Sequence, residues 1–166
     1  MARQLWVLRH AEAEPHGTRS DSERRLTPRG ESQARAAGAA LLRLDVAFAA
    51  VLFSPKTRAR QTAELACEAW PATQRKLLRA HEPLASGFDG AQALQALSEV
   101  DADGRLLVVG HEPDLSRTVG DLTGGRIDLK KGGLAVVRLE GVAGELAVLV
   151  RPRELALIAG VPGDGD

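Results

Sequence analysis

The chain has 166 residues, 44 % of them hydrophobic and 27 % charged, enough for one domain with a full core and short for two. Its 22 basic residues balance 22 acidic ones. That excludes a global field for nucleic acid or an anionic membrane, so any anion binding must be local. The lone cysteine, Cys67, excludes an internal disulfide and fits a reducing compartment. No run approaches the roughly 20 apolar residues that span a bilayer, and Leu5 to Leu8 is too short for a signal peptide, so a cytoplasmic protein is expected.

Apolar runs alternate with helical patterns. Leu5 to Leu8 reads as the first strand. Thr27-Pro28 has the form of an N-cap followed by proline at the first helical position, and Ala34, Ala37, Gly38, Leu41 and Leu42 mark one face of the helix behind it. Ala49 to Phe53 is a second strand. Ser54-Pro55 repeats the cap-plus-proline form, with Ala59, Thr62, Ala63, Ala66, Cys67 and Trp70 at helical spacing after it. Leu77 to Gly90 reads as a short strand and an active loop, and Ala91, Leu94 and Leu97 suggest a further helix. Leu106 to Val109 is a third buried strand, followed by a helix from about Pro113 to Leu122 that Thr123-Gly124-Gly125 breaks. Leu134 to Leu139 and Leu146 to Val150 read as late strands around a glycine-bearing turn, forming an antiparallel edge, with a last short helix after Pro152. The alternation implies a mostly parallel central sheet covered on both faces, a three-layer α/β/α sandwich in a single domain spanning 1–160. The Gly/Asp-rich stretch 161–166 reads as a disordered tail.

Three strands end in residues suited to phosphate. The first stops at Arg9-His10, the second runs into Ser54-Pro55-Lys56-Thr57-Arg58, and the third stops at Gly110-His111. In a parallel sheet these ends share one edge, where ligands of open α/β folds bind. A strand-end histidine alone needs only a hydrogen-bond partner, and an arginine near a helix start is ordinarily a surface charge. Three such ends together define an electropositive pocket in which arginine's planar fork suits phosphoryl oxygens. The helix after Ser54 can add backbone donors. At this point His10 has four possible roles: acid, base, metal ligand or nucleophile.

Other chemistries lack their residues. The thiolate-phosphatase cradle would need arginine at position 73, where Thr73 stands. No Walker lysine motif and no G-x-S-x-G elbow is present. His16 and His81 have no close-spaced His or Cys partners, so no metal site is expected and both read as loop residues.

Leu8-Arg9-His10-Ala11-Glu12, Leu26-Thr27-x-x-Gly30, Ser54-Pro55-x-x-Arg58-Ala59-x-Gln61-Thr62 and Val109-Gly110-His111, in that order, resemble the histidine phosphatase superfamily. The segment Ser20-Asp21-Ser22-Glu23-Arg24-x-Leu26-Thr27 also has a counterpart in its short SixA-type phosphohistidine phosphatase branch. The resemblance implies a phosphoglycerate mutase-like fold and a metal-independent, cofactor-free phosphatase. In it His10 attacks phosphorus to form a covalent phosphohistidine, while Arg9, Arg58 and His111 hold the equatorial oxygens. Arg24, which Asp21 would orient, is a further candidate for a substrate contact, and Ser54 and Thr57 are either phosphate donors or helix caps. The expected partner is a phosphoprotein carrying phosphohistidine, of the HPt phosphorelay kind, or a small phosphate ester, with phosphate- and vanadate-like anions as ligands.

Two positions depart from the family pattern. Ala11 stands where glycine is usual, and its backbone N–H is expected to remain available to phosphate. Glu82 falls near the general acid of mutase-like relatives, but His81-Glu82-Pro83-Leu84 is not a clean match to that motif. An imidazole leaving group needs less protonation than an alkoxide, so a weak acid favours a phosphohistidine substrate. A small-molecule phosphomonoesterase or mutase is the enzymatic alternative, and a non-catalytic phosphoprotein-binding module is the alternative of another class.

Overall fold

The computed structural model describes residues 2–162. The end of the expected tail, 163–166, lies outside the described residues. Six strands form one sheet: β1 (Arg3–Arg9), β2 (Ala50–Phe53), β3 (Leu78–Ala80), β4 (Arg105–Gly110), β5 (Leu134–Glu140) and β6 (Ala143–Val150), in the order β3-β2-β4-β1-β5-β6. β3, β2, β4 and β1 are mutually parallel, whereas β5 runs antiparallel to β1 and β6 to β5. The late hairpin is thus the expected antiparallel edge.

Period-two alternation splits the core between two faces. Leu5, Val7, Leu106, Val108, Ala135 and Val137 point to one side, with α4 (Gly90–Leu97) and α5 (Asp114–Thr123) over them. Trp6, Leu8, Val51, Phe53, Leu107 and Val109 point to the other, under α1 (Pro28–Arg43), α2 (Thr57–Cys67) and α6 (Pro152–Ala159). The remaining helix is the single turn α3 (Ala72–Arg75). The central strands, buried on both faces, read as continuous apolar runs for that reason. Truncating a fully buried leucine such as Leu8 or Leu106 to alanine costs about 2–5 kcal/mol.

Local chemistry sets the helix starts. Thr27 Oγ1 accepts the N–H of Gly30 at 3.0 Å, as expected of an N-cap with Pro28 at the first position. A Cβ at Gly30 would collide with the carbonyl oxygen of Glu12, and one at Gly38 with that of Ala66. These glycines let α1 press against the segment after β1 and against α2. Three sequence expectations fail in detail. Leu42 is 44 % exposed, because the buried stripe of α1 passes through Ala34, Ala37, Gly38 and Leu41. Ala91 is exposed while Ala93 and Leu97 are buried. Ser54 is not a cap: α2 begins at Thr57 after Lys56, which makes no side-chain cap bond.

Candidate active site

The register of the parallel strands builds the site. Arg9 lies opposite Gly110 and Phe53 opposite Val109. Beyond the ladder, His10 N–H donates to Gly110 O (3.0 Å) and Ser54 N–H to Val109 O (2.9 Å). His10, Ser54 and His111 therefore emerge side by side at the C-terminal edge of the sheet, as three adjacent strand ends require.

His10 is 6 % exposed, and its Nδ1 lies 2.8 Å from Ala11 O. A carbonyl can only accept, so Nδ1 carries the proton and Nε2 keeps its lone pair. Burial pushes the imidazole down to about 3, helped by His111, Arg58 and Arg9 and opposed by the bond to Ala11 O. His111 is also held at about 3, by burial first and then by Arg58 and Lys56. The two rings sit 5.2 Å apart. His111 Nε2 lies 2.7 Å from Ser54 Oγ, which also accepts Lys56 N–H at 3.2 Å. Those two bonds use the Ser54 hydroxyl in a local turn, which is why it does not cap α2.

The arginines are oriented by carbonyls. Arg9 Nη1 donates to Leu129 O (2.9 Å), and Arg58 Nη1 donates to Asp21 O (2.7 Å). Arg58 Nη2 reaches Asp21 Oδ2 at 3.3 Å. Burial lowers both guanidinium pKa values from their ordinary range. Among the described residues, five buried side-chain polar atoms lack a partner, and three belong here: Arg9 Nε, Arg58 Nε and His111 Nδ1. Buried polar groups left unpaired are costly. Their concentration at one strand-end edge marks a place for an anion.

Arg24 joins the site indirectly. It is 7 % exposed, donates Nε and Nη2 to Asp21 Oδ1 (3.2 and 2.9 Å), and donates Nη1 to Glu14 O (2.7 Å). Asp21 thus orients it, as the sequence suggested. All three of its nitrogens have protein partners, and through them it braces Asp21. Sequence reasoning missed the wider part of this arrangement: Asp21 also receives Arg58 and Lys56 Nζ (3.2 Å). It also missed Thr62, whose Oγ1 accepts Ala11 N–H (3.1 Å) and donates to Arg58 O (2.7 Å). The spacing of Arg58 and Thr62, four apart on one helix, was the available signal.

That bond corrects the expectation for Ala11. Its N–H is committed to Thr62 and the residue is fully buried, so it is not available to phosphate. The alanine is tolerated because Asp45 alone among the described non-glycine residues has positive φ. Glu82 opens a 3-10 turn, Glu82–Ala85, after β3, on the same edge of the sheet. It is exposed, and its side chain makes no hydrogen bond or ion pair among the described residues. Leu84 turns back toward Gly110, where an added Cβ would lie 3.4 Å from its Cδ2. Cys67 is buried in α2, its thiol pushed up to about 12 by burial, as suits a core residue. Among the described residues no group of three or more His, Cys, Asp or Glu side chains is placed to hold a metal ion, and no helix is long and apolar enough to cross a membrane.

Comparison with known proteins agrees with this geometry. A family profile described as histidine phosphatase superfamily (branch 1) matches residues 5–86. An uncharacterised protein of Picosynechococcus sp. is 31 % identical over 140 residues, 81 % of this chain and 84 % of that protein. The structure of the protein histidine phosphatase SixA complexed with tungstate superposes with a TM-score of 0.77 at 26 % identity, covering 92 % of this chain and 99 % of that one. Phosphoserine phosphatase from Entamoeba histolytica, in complex with 3-phosphoglyceric acid, shares the fold at 16 % identity with a TM-score of 0.69, over 92 % of this chain and 99 % of that one.

Proposed function

The chain belongs to the histidine phosphatase superfamily, and on that premise we propose that it removes the phosphoryl group from a protein phosphohistidine through a covalent intermediate on His10. The observation that carries this reading is the buried His10 with its Nδ1 proton tied to Ala11 O, facing a set of unpaired buried donors. Nε2 attacks phosphorus, the P–N bond of the substrate breaks, and the departing imidazole takes a proton. Water then attacks the phosphoenzyme and releases inorganic phosphate. Arg9 and Arg58 supply the positive charge that stabilises the transferring phosphoryl oxygens. In the tautomer where Ser54 O–H donates to His111 Nε2, the ring proton sits on Nδ1 and becomes a third donor. The neutral state of His10 keeps the nucleophile ready without a separate base.

The likeness to a SixA solved with tungstate, a phosphate-like oxyanion, supports the pocket assignment. A small-molecule phosphomonoesterase is the second reading, favoured by the fold shared with phosphoserine phosphatase. The test is to mix the protein with a labelled phosphohistidine-carrying domain, quench in base, in which phosphohistidine survives, and map the label by mass spectrometry. Label on His10, lost in His10→Ala, is expected. Turnover of the domain without label on His10, undiminished in His10→Ala, overturns the mechanism. A panel of phosphate esters, turned over faster than the phosphoprotein, would select the second reading.

A further inference from the structure

Resting on that reading, we propose that Asp21 is the positioning residue of the site, fixing which edge of Arg58 is presented to the phosphoryl group. A guanidinium offers two bidentate edges, one from Nη1 and Nη2 and one from Nε and Nη2. Asp21 closes the first with its carbonyl (2.7 Å to Nη1) and its carboxylate (3.3 Å to Nη2). The second remains, with Nε buried and unpaired. Arg9, oriented through Nη1 by Leu129 O, also keeps an unpaired Nε.

The clamp is itself held. Asp21 begins the 3-10 turn Asp21–Glu23, and the buried Arg24 anchors its Oδ1 while reaching back to Glu14 O. Oδ2 is shared by Lys56 and Arg58. Exposed His16 stands 3.9 Å from Oδ1 and adds little. Burial pulls the carboxyl up, but Arg24, Lys56 and Arg58 outweigh it and hold it well below the usual carboxylate range. It is therefore charged at any working pH. Three cations around one carboxylate leave a net charge of plus two, which a phosphoryl dianion balances. A surface ion pair whose only role was stability would have little reason to take up one whole edge of a buried arginine, since exposed pairs contribute about 0–1 kcal/mol.

The experiment is a double-mutant cycle of Asp21→Asn with Arg58→Ala, read as kcat/KM on a phosphohistidine-carrying domain and as tungstate affinity. Asp21→Asn should cost about 10–30-fold with Arg58 present and less than about 2-fold without it. Arg58→Lys replaces Arg58→Ala if the latter does not fold. Tungstate affinity closes the cycle where the Arg58 variants turn over too slowly. Equal losses in both backgrounds, which a purely structural role produces, overturn the proposal, as does an Asp21→Asn variant with unchanged kcat/KM. Full activity in Arg58→Ala tells instead against the phosphatase pocket, so the two failures are distinct.

Discussion

The two sides of His10 are built differently. On the side proposed for the phosphoryl group, Arg58 and His111 are buried and Arg9 half-buried, and each is held by a bond of 2.7–2.9 Å to a carbonyl or a hydroxyl. On the side proposed for the leaving group, Glu82 is exposed at the start of a short turn, its side chain without a hydrogen bond or ion pair among the described residues. Preorganisation costs conformational entropy and is repaid only where charge must be stabilised in one fixed geometry. On the proposed reading the contrast puts that demand on the transferring phosphoryl group rather than on a fixed acid.

The sharpest way to break the contrast is to remove the built side. His10→Ala should lower kcat at least about 10⁴-fold and abolish the phosphoenzyme, because the nucleophile cannot be replaced by a neighbour. Arg58→Ala should cost about 10²–10³-fold in kcat, the scale of losing a preorganised donor to developing charge. Both are read by steady-state turnover of a phosphohistidine domain. A loss under tenfold in either would show that the buried side is structural.

Acid should act on the same side through stability. His10 and His111 sit near 3 in the folded chain, below the ordinary histidine value of 6.5. Below about 6.5 the unfolded chain takes up protons that the fold refuses, so stability is full above 6.5 and falls as the pH drops toward 3. The limiting slope is about 1.4 kcal/mol per pH unit for each ring. Urea unfolding between pH 7 and 5 should show the decline, and His10→Gln/His111→Gln should flatten it. The two rings' NMR resonances should not titrate across that range. A smaller effect is expected at the support: Ser54→Ala frees His111 Nε2 and should cost about tenfold in kcat/KM, the worth of one hydrogen bond.

The strand ends were legible in the sequence because parallel pairing forces adjacent termini to one edge, so Arg9, His10, Arg58 and His111 follow from where the apolar runs stop. Thr27 and Gly30 were legible for the same local reason, a cap and a close approach to Glu12. What was not legible depends on contacts across long separations. The bonds from Arg58 to Asp21 join positions 37 apart, Ala11 to Thr62 spans 51, and His111 to Ser54 spans 57. Ser54 was misread as a cap because its cap-like local sequence says nothing of the histidine 57 positions on that takes up its hydroxyl.

The smallest expected effect tests the other side. Glu82→Gln removes the charge and the proton of a side chain with no fixed neighbour, so on a phosphohistidine domain kcat should change less than about 3-fold. The leaving imidazole carries enough basicity to take its proton from water. An alkoxide is a far poorer leaving group, and a phosphate ester turned over by this site would need an acid, so there the same variant should lose about 10²-fold, within the usual range for general acid catalysis. Measuring both substrates on one variant separates the two chemistries within a single protein. A large loss on phosphohistidine would mean that Glu82 is brought into place by the substrate, and the contrast between a built side and an open side would then not hold during turnover.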